Sequence, residues 1–189
     1  GKMIKDNCTL ENDGMLLERS YFDETKIQQI SDHLDRVLAE YDRAKKKKGH
    51  ESLINGTIHH PLIFDEYFVE LLDLPNLRET IAGWFNGNYV LNSYGGVVNS
   101  KQGQTYVHTI HKDTRFYCGE YRLFLNLLLA VDEFTVENGA TMILEKTHCS
   151  ASPPSEEYFE AHAQNLLLKP GDILLFDSNL WHRAGHNIT

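Results

Sequence analysis

The chain has 189 residues, of which 41% are hydrophobic and 24% are charged, as in a folded globular protein. This length suits one domain with a sizeable core. The formal net charge of -9 argues against broad electrostatic attraction to nucleic acid or an anionic membrane, because both need a basic surface. We therefore expect neither as a partner.

Cysteine usage and hydropathy indicate the cellular compartment. The 3 cysteines form no C-x-x-C pair, so neither a disulfide framework nor a thiolate zinc site is indicated. No apolar run approaches the roughly 18 to 20 residues of a membrane helix, and the N-terminus has no signal-peptide pattern. These features predict a protein of the reducing cytoplasm.

A long amphipathic helix is predicted near the N-terminus, over residues 23–42. Its apolar residues recur at helical spacing and share one face. They are Ile27, Ile30, Leu34, Val37, Leu38 and Tyr41. The lysine run at 45–48 is interpreted as a solvated loop that ends this helix together with Gly49.

Two shorter helices are predicted next, over residues 62–73 and 76–85. Pro75 separates them, because proline lacks a backbone donor and its torsion is fixed. The N-terminal part of the chain, residues 1–88, is therefore expected to be mainly helical.

From Tyr89 onward the pattern changes to short strand-like segments punctuated by turn residues. They are YVLNSYGGVVN, QTYVHTIH, RLFLNLLLAVD, ATMILE, QNLLLK and GDILLFD. Helices followed by many strands predict an α+β domain over residues 1–189, with an antiparallel sandwich or barrel in residues 89–189. Residues 149–164 are predicted to be a loop containing a helical turn that starts at Ser155.

The tripeptide His111-Lys112-Asp113 concentrates metal-binding chemistry at a predicted strand end. Alternate strand residues point to the same face, so the imidazole and the carboxylate can converge on one ion. Two histidines and one carboxylate can hold iron(II) and leave three positions open. The second H-x-D, His33-Leu34-Asp35, lies in the predicted helix, where residues two apart point away from each other.

A third ligand is expected from a distant strand. In KPGDILLFDSNLWHRAGHN, residues 169–187, a Pro-Gly turn precedes a buried strand, and His182 begins the next strand. His186 is the competing candidate. Enough residues separate Asp113 from His182 for four or five intervening strands.

The ordered motifs resemble the phytanoyl-CoA dioxygenase family of iron(II), 2-oxoglutarate-dependent oxygenases. They are HKD (111–113), LAVDEFTVENGATMILEKTH (129–148) and KPGDILLFDSNLWHRAGHN. The family reads H-x-D, a turn of the D-x-T-x-E-N-G-A type, P-G-S-H, G-D and then H-x-x-G-x-N. Here EKTH replaces P-G-S-H, and His148 is expected not to be a ligand.

The resemblance implies a double-stranded β-helix, a jelly-roll barrel like that of cupins, with supporting N-terminal helices. It implies that His111, Asp113 and His182 hold Fe(II). It further implies hydroxylation of a small organic molecule with O2 and 2-oxoglutarate, releasing succinate and carbon dioxide. Because halogenating relatives replace the carboxylate ligand with a small residue, Asp113 favours hydroxylation.

The resemblance also suggests cosubstrate contacts. Asn99, in NSKQG, occupies the place of an asparagine that can donate to 2-oxoglutarate, and Tyr117 falls where an aromatic lines the pocket. The arginine that grips the cosubstrate carboxylate in the family is expected about eleven residues after the distal histidine, beyond Thr189. We therefore expect further residues after Thr189, supplying that arginine and the last strands.

Two alternatives stay open at this point. One is a cupin-like metal enzyme that does not use 2-oxoglutarate, and the other is a non-catalytic binding module with the same barrel. No Ser-His-Asp set with a G-x-S-x-G elbow occurs. Substrate specificity is expected to come from the loops at 45–60 and 149–164.

Overall fold

The computed structural model describes residues 2–3, 8–49, 57–100 and 108–189. The chain divides into two compact units. The helical unit comprises Thr25–Gly103, and the sheet unit combines Gly1–Glu24 with Gln104–Thr189. The single domain, helical to residue 88 and β-rich thereafter, stays a prediction.

Helices and short strands alternate in the N-terminal part of the chain, and strands predominate from residue 95 onward. In chain order they are β1 (Lys2–Met3), α1 (Leu10–Asp13), β2 (Met15–Glu18), α2 (Glu24–Lys47), β3 (Thr57–His59), α3 (Tyr67–Glu70), α4 (Pro75–Phe85), β4 (Gly95–Val97), β5 (Leu125–Leu129), β6 (Met142–Leu144), α5 (Glu156–His162), β7 (Gln164–Asn165), β8 (Ile173–Asp177) and β9 (Trp181–Arg183). A 3-10 turn, Pro61–Ile63, precedes α3.

The amphipathic helix is confirmed as α2, which buries Ile27, Ile30 and Val37 from the predicted face. The predicted loop at 45–48 is wrong, because the helix continues to Lys47. Lysine is a good helix former, and cations at a helix C-terminus interact favourably with its dipole. Gly49, with φ of 68°, follows the last turn.

The helix predicted over 62–73 is interrupted. The Asp65 side chain accepts a hydrogen bond from the Tyr67 backbone N–H at 3.0 Å, and this local bond competes with helical pairing. The helix predicted over 76–85 is confirmed as α4, with Pro75 as its first residue and Asn86 in the left-handed conformation at its end.

The helical unit has its own apolar core. Val37 of α2, Ile58 of β3 and Phe68 of α3 are buried together. β3 pairs antiparallel with β4, placing Ile58 opposite Gly96. Among the described residues of the predicted strand 89–99, only Gly95–Val97 forms a strand.

Two sheets build the other unit. One has the order β2-β8-β5, with antiparallel pairing on both sides of β8, and the other has the order β1-β7-β6-β9. All five residues of β8 are buried, as its continuous apolar run predicts. β5 is an edge strand of its sheet among the described residues.

The two sheets share one hydrophobic core. Met15 and Leu174, from the three-stranded sheet, are buried with Ile143 from the four-stranded sheet. The predicted mixture of helices and mainly antiparallel sheet is confirmed, whereas the described strands do not form a closed barrel. In the described part of the chain, no helix is long and apolar enough to cross a membrane.

The segments beside the predicted site behave differently from regular strands. Of the predicted strand 104–111, residues 104–107 lie outside the described residues, and His111 makes a single β-bridge.

The helical turn predicted from Ser155 is confirmed as α5. The Ser155 hydroxyl caps its N-terminus by accepting from Tyr158 N–H at 3.1 Å.

Candidate metal centre

His111 and His182 face each other across an antiparallel β-bridge. Each backbone N–H donates to the carbonyl of the other residue, with N···O distances of 2.9 and 2.8 Å. The imidazole centroids are 4.3 Å apart. His182 also pairs with Ile143 of β6, so main-chain bonds tie both imidazoles to the four-stranded sheet.

A backbone carbonyl two residues upstream orients each imidazole. Nδ1 of His111 lies 2.8 Å from Thr109 O, and Nδ1 of His182 lies 2.9 Å from Leu180 O. A carbonyl oxygen can only accept, so Nδ1 carries the hydrogen in both bonds. In the neutral ring this leaves the lone pair on Nε2, the tautomer that a metal ligand needs.

Asp113 completes the group with its carboxylate. Its Oδ1 atom lies 3.7 Å from Nε2 of His111 and 3.7 Å from Nε2 of His182. The other oxygen, Oδ2, accepts a hydrogen bond from the Asn126 side-chain amide at 2.6 Å. One carboxylate oxygen therefore faces both imidazoles, and the other faces β5.

The turn between β8 and β9 holds the backbone beside Asp113. Ser178 O accepts from the N–H groups of Asp113 and Thr114 at 3.0 and 3.1 Å. The Thr114 and Ser178 hydroxyls lie 2.5 Å apart, and both side chains are buried. The same turn leads into His182, so it fixes two of the three side chains.

Lys112 points away from this group, as strand alternation predicts. Its ammonium group donates to Asn179 Oδ1 at 3.4 Å and lies 5.8 Å from the Trp181 ring. Lys112 is 8% exposed. It therefore packs behind the strand pair that carries the histidines.

The three-stranded sheet contacts the group through a cross-strand pair. Asn126 of β5 lies directly opposite Phe176 of β8, so both side chains are on the same face. The Phe176 ring meets the His182 ring edge-on, with centroids 5.4 Å apart. Asn126 thus contacts the carboxylate while Phe176 contacts an imidazole.

Burial favours the neutral form of His182. Desolvation lowers the pKa of His182 below its ordinary value, although the nearby Asp113 carboxylate acts in the opposite direction. The His182 side chain is 10% exposed, and that of Asp113 is 43% exposed. The group is thus buried at the histidine and open to solvent at the carboxylate.

His111, Asp113 and His182, which we call the metal group, fit a divalent metal ion. Their ligand atoms all lie within 4.8 Å of one another, and no other group of three such residues occurs among the described residues. Two bare imidazole nitrogens and a carboxylate oxygen, facing each other without intervening hydrogens, repel unless a cation lies between them. Two histidines and one carboxylate are the ligand set typical of non-haem iron(II).

The turn DEFTVENGA, residues 132–140, packs against the segment that follows His182. Asn138 Oδ1 accepts from Thr135 N–H at 2.9 Å, and Gly139 has φ of 88°, as an Asn-Gly turn predicts. A Cβ atom on Gly185 would lie 2.7 Å from Ala140 O. The glycine three residues after His182 therefore allows close backbone packing against this turn.

Several other predicted residues lie outside the metal group. His186 stacks on His108, with centroids 4.5 Å apart, so His182 and not His186 joins the group.

Tyr117 is 51% exposed, and its hydroxyl donates to Cys149 O at 3.5 Å. Asn99 is exposed in the helical unit. Binding of 2-oxoglutarate by Asn99 and Tyr117 stays a prediction.

Two polar residues near the predicted motifs have structural partners. Arg183 forms ion pairs with Glu156, at 2.6 Å, and with Glu160. The His148 ring contacts the Glu11 backbone carbonyl, with Nε2 at 3.1 Å. Neither side chain belongs to the metal group.

Asn126 was missed by the sequence reasoning. The available signal was a single amide within the leucine-rich run RLFLNLLLA, where a partly buried polar side chain needs a partner. That signal could not identify Asp113 as the partner, because the pairing depends on the register between β5 and β8.

Known proteins resemble this chain over most of its length. Dioxygenase andF of Emericella variicolor is 28% identical over 195 residues, covering 94% of this chain and 66% of the relative. The chain thus spans about two thirds of that relative's length.

Solved structures share the fold. EctD from S. alaskensis, crystallised with bound Fe, has a TM-score of 0.77 at 19% identity, covering 95% of this chain and 69% of that chain. The epimerase SnoN in complex with Fe3+, alpha ketoglutarate and nogalamycin RO has a TM-score of 0.73 at 16% identity, covering 95% and 75%.

Residues 10–189 match the phytanoyl-CoA dioxygenase (PhyH) family. The match includes the HKD segment, the Asn-Gly turn and the β8–β9 segment that the sequence reasoning singled out. The family prediction is confirmed: this chain belongs to the phytanoyl-CoA dioxygenase family.

Proposed function

We propose that this protein is a non-haem Fe(II), 2-oxoglutarate-dependent dioxygenase, with His111, Asp113 and His182 as the iron ligands. The observation that carries the proposal is the convergence of two imidazole Nε2 atoms on one carboxylate oxygen, each 3.7 Å away. Family membership and the iron and alpha ketoglutarate in the SnoN structure support the choice of metal and cosubstrate.

When bound, the iron and 2-oxoglutarate supply the oxidation of an unactivated C–H bond by O2, with release of succinate and carbon dioxide. The chain's own part is to hold the ligand geometry. Thr109 O and Leu180 O keep a hydrogen on each Nδ1, so that each Nε2 faces inward. No general base is required from the protein.

The site also controls access. His182 is buried beneath Phe176, whereas Asp113 is open to solvent, so substrate and cosubstrate approach from the carboxylate side. We assign Asn99 and Tyr117 to cosubstrate binding on the family pattern. We also propose that the two sheets belong to a double-stranded β-helix barrel, for which the shared fold of EctD and SnoN is the support.

We propose a small organic molecule with an apolar portion as substrate, and hydroxylation as the outcome. The segment that directly follows Asp113 exposes large aromatic side chains, with Phe116 59% and Tyr121 79% exposed. Exposed apolar surface of this kind marks binding sites.

The proposal is tested by supplying the full-length protein with Fe(II), 2-oxoglutarate and O2 and measuring succinate. We expect succinate to form with the wild-type protein and to be lost after Asp113→Ala. Metal binding without any 2-oxoglutarate turnover, across a panel of candidate substrates, would instead favour a cupin-like enzyme with other chemistry. Absence of metal binding would favour a non-catalytic module.

A further inference from the structure

The two oxygens of the Asp113 carboxylate have different surroundings. Oδ1 lies 3.7 Å from both imidazole Nε2 atoms, and Oδ2 accepts from Asn126 Nδ2 at 2.6 Å. The side chain is 43% exposed, so surrounding packing restricts its rotation only in part. The terminal torsion of an aspartate is broad, so the carboxylate could otherwise turn to present both oxygens to the imidazoles.

We propose that Asn126 is a positioning residue, which holds the Asp113 carboxylate so that a single oxygen faces the metal ion and the other is kept away from it. This inference rests on the proposed iron site. It gives a residue other than the three ligands a part in orienting the Asp113 carboxylate.

The chemistry of an amide suits this role. Asn126 donates an N–H to Oδ2 without adding charge, so the carboxylate keeps its negative charge for the metal. A carboxylate in the same place would repel Asp113, and an apolar side chain would leave Oδ2 without this donor. Hydrogen bonds to ligating carboxylates orient them and tune metal affinity.

The fold holds Asn126 firmly. It is the second residue of β5, whose five residues all pair with β8. Directly opposite Asn126 is Phe176, whose ring contacts His182. One cross-strand pair therefore fixes both the carboxylate and the buried imidazole relative to the three-stranded sheet.

The consequence concerns the open side of the metal. With one oxygen from Asp113, the three side chains would leave three positions of an iron(II) ion open. If Oδ2 also bound, one of these positions would be lost. By holding Oδ2, Asn126 preserves the positions that a two-point cosubstrate and O2 require.

The experiment uses the full-length protein and Mn(II) as a redox-stable probe of the site. Asn126→Leu removes the amide donor at similar size, and Asn126→Ser removes it without adding apolar bulk. Leu127→Ser is the matched control, because Leu127 is the next residue of β5, lies on the opposite face and is 40% exposed.

We expect Mn(II) affinity to fall about 10-fold in both Asn126 variants, as for other residues that hold a metal ligand. The unfolding temperature of the metal-free protein should not fall below that of Leu127→Ser, whose Mn(II) affinity should stay at the wild-type value. In crystals with Mn(II), wild-type Asp113 should bind through one oxygen, and through both oxygens or a rotated group in Asn126→Leu.

Wild-type Mn(II) affinity and single-oxygen binding in both Asn126 variants would overturn the inference and leave the proposed function intact. An equal loss of affinity in Leu127→Ser would also overturn it, because the effect would then come from weakening β5. If the wild-type protein binds no Mn(II) or Fe(II), the proposed function itself fails, which is a different result.

Discussion

The same pattern, His-x-Asp, occurs in two regions of this chain, and its side chains make different contacts in each. In α2, His33 does not meet Asp35, and its Nδ1 instead lies 2.6 Å from Asp65 Oδ2. In the sheet unit, His111 Nε2 and Asp113 Oδ1 lie 3.7 Å apart, and both side chains face His182.

Backbone geometry explains the difference. Residues two apart on a helix point in nearly opposite directions, whereas on an extended chain they share a face. His33 therefore serves packing: it stacks on Tyr67 at 3.7 Å and bonds a carboxylate from a following loop. His111 and Asp113 share a face and converge with the distant His182. A short motif carries chemical meaning only with its secondary structure.

The largest contrast is expected between the two aspartates of the motif. Asp113→Ala should weaken Fe(II) binding by more than about 100-fold, because a ligand is lost and not merely its support. Asp35→Ala, the matched control, should leave Fe(II) affinity unchanged. Anaerobic titration calorimetry measures both, and unchanged iron binding in Asp113→Ala would refute the ligand assignment.

A third carboxylate, Asp172, extends the comparison to a buried structural role. It is 1% exposed and accepts from Ser20 N–H at 2.8 Å, from Lys169 N–H at 2.9 Å and from Arg19 at 2.7 Å. We expect Asp172→Asn to lower the free energy of unfolding by about 2 kcal/mol at pH 7, because charge-assisted hydrogen bonds are lost. Denaturant unfolding measures the change.

The pH dependence of that effect follows from the pKa of Asp172. Burial raises this pKa, but the hydrogen bonds from Lys169, Ser20 and Arg19 outweigh burial and lower it below its ordinary value of 3.8. The stabilisation is therefore fully present above about pH 4 and is lost as the pH falls through the lowered folded-state pKa. A wild-type advantage over Asp172→Asn that grows on acidification would contradict this assignment.

Two glycines test whether close backbone packing supports the region of His182. Gly185→Ala should destabilise the protein by about 1–2 kcal/mol, because the new Cβ would lie 2.7 Å from Ala140 O. Gly83→Ala should stabilise it by about 0.5–1 kcal/mol, because Gly83 lies within α4 with nothing within 4 Å of the new Cβ. Equal effects in thermal unfolding would contradict the packing argument.

The smallest effect is expected at the helical motif. His33→Gln should lower the free energy of unfolding by about 0.5–1 kcal/mol, since the partners are partly exposed, and leave Fe(II) affinity unchanged. The hydrogen bond from His33 lowers the pKa of Asp65, so this contribution should fade as the pH falls through that lowered pKa. An effect of His33→Gln on Fe(II) affinity would break the comparison.

Much of the site could be predicted from local rules. Strand alternation placed His111 beside Asp113, the Pro-Gly turn and the apolar run predicted β8, and the ordered motifs indicated the family. What local rules could not supply were contacts set by pairing between distant strands. Asn126 reaches Asp113 only because β5 and β8 align Asn126 with Phe176.

The errors in secondary structure have equally local causes. The lysine run looked like a loop by charge, yet its helix propensity and position at a helix C-terminus extend α2 to Lys47. The helix predicted over 62–73 is split by the side chain of Asp65, which bonds Tyr67 N–H. His111 needs no regular strand, because two backbone bonds to His182 suffice to orient it.

We propose that three side chains from distant parts of the chain bind one iron ion. A crystal structure of the Fe(II)-loaded protein, with anomalous scattering measured at the iron edge, tests it most directly. We predict one iron peak bonded to Nε2 of His111, one carboxylate oxygen of Asp113 and Nε2 of His182. An iron ion bound elsewhere, or His182 turned away from the ion, would contradict it.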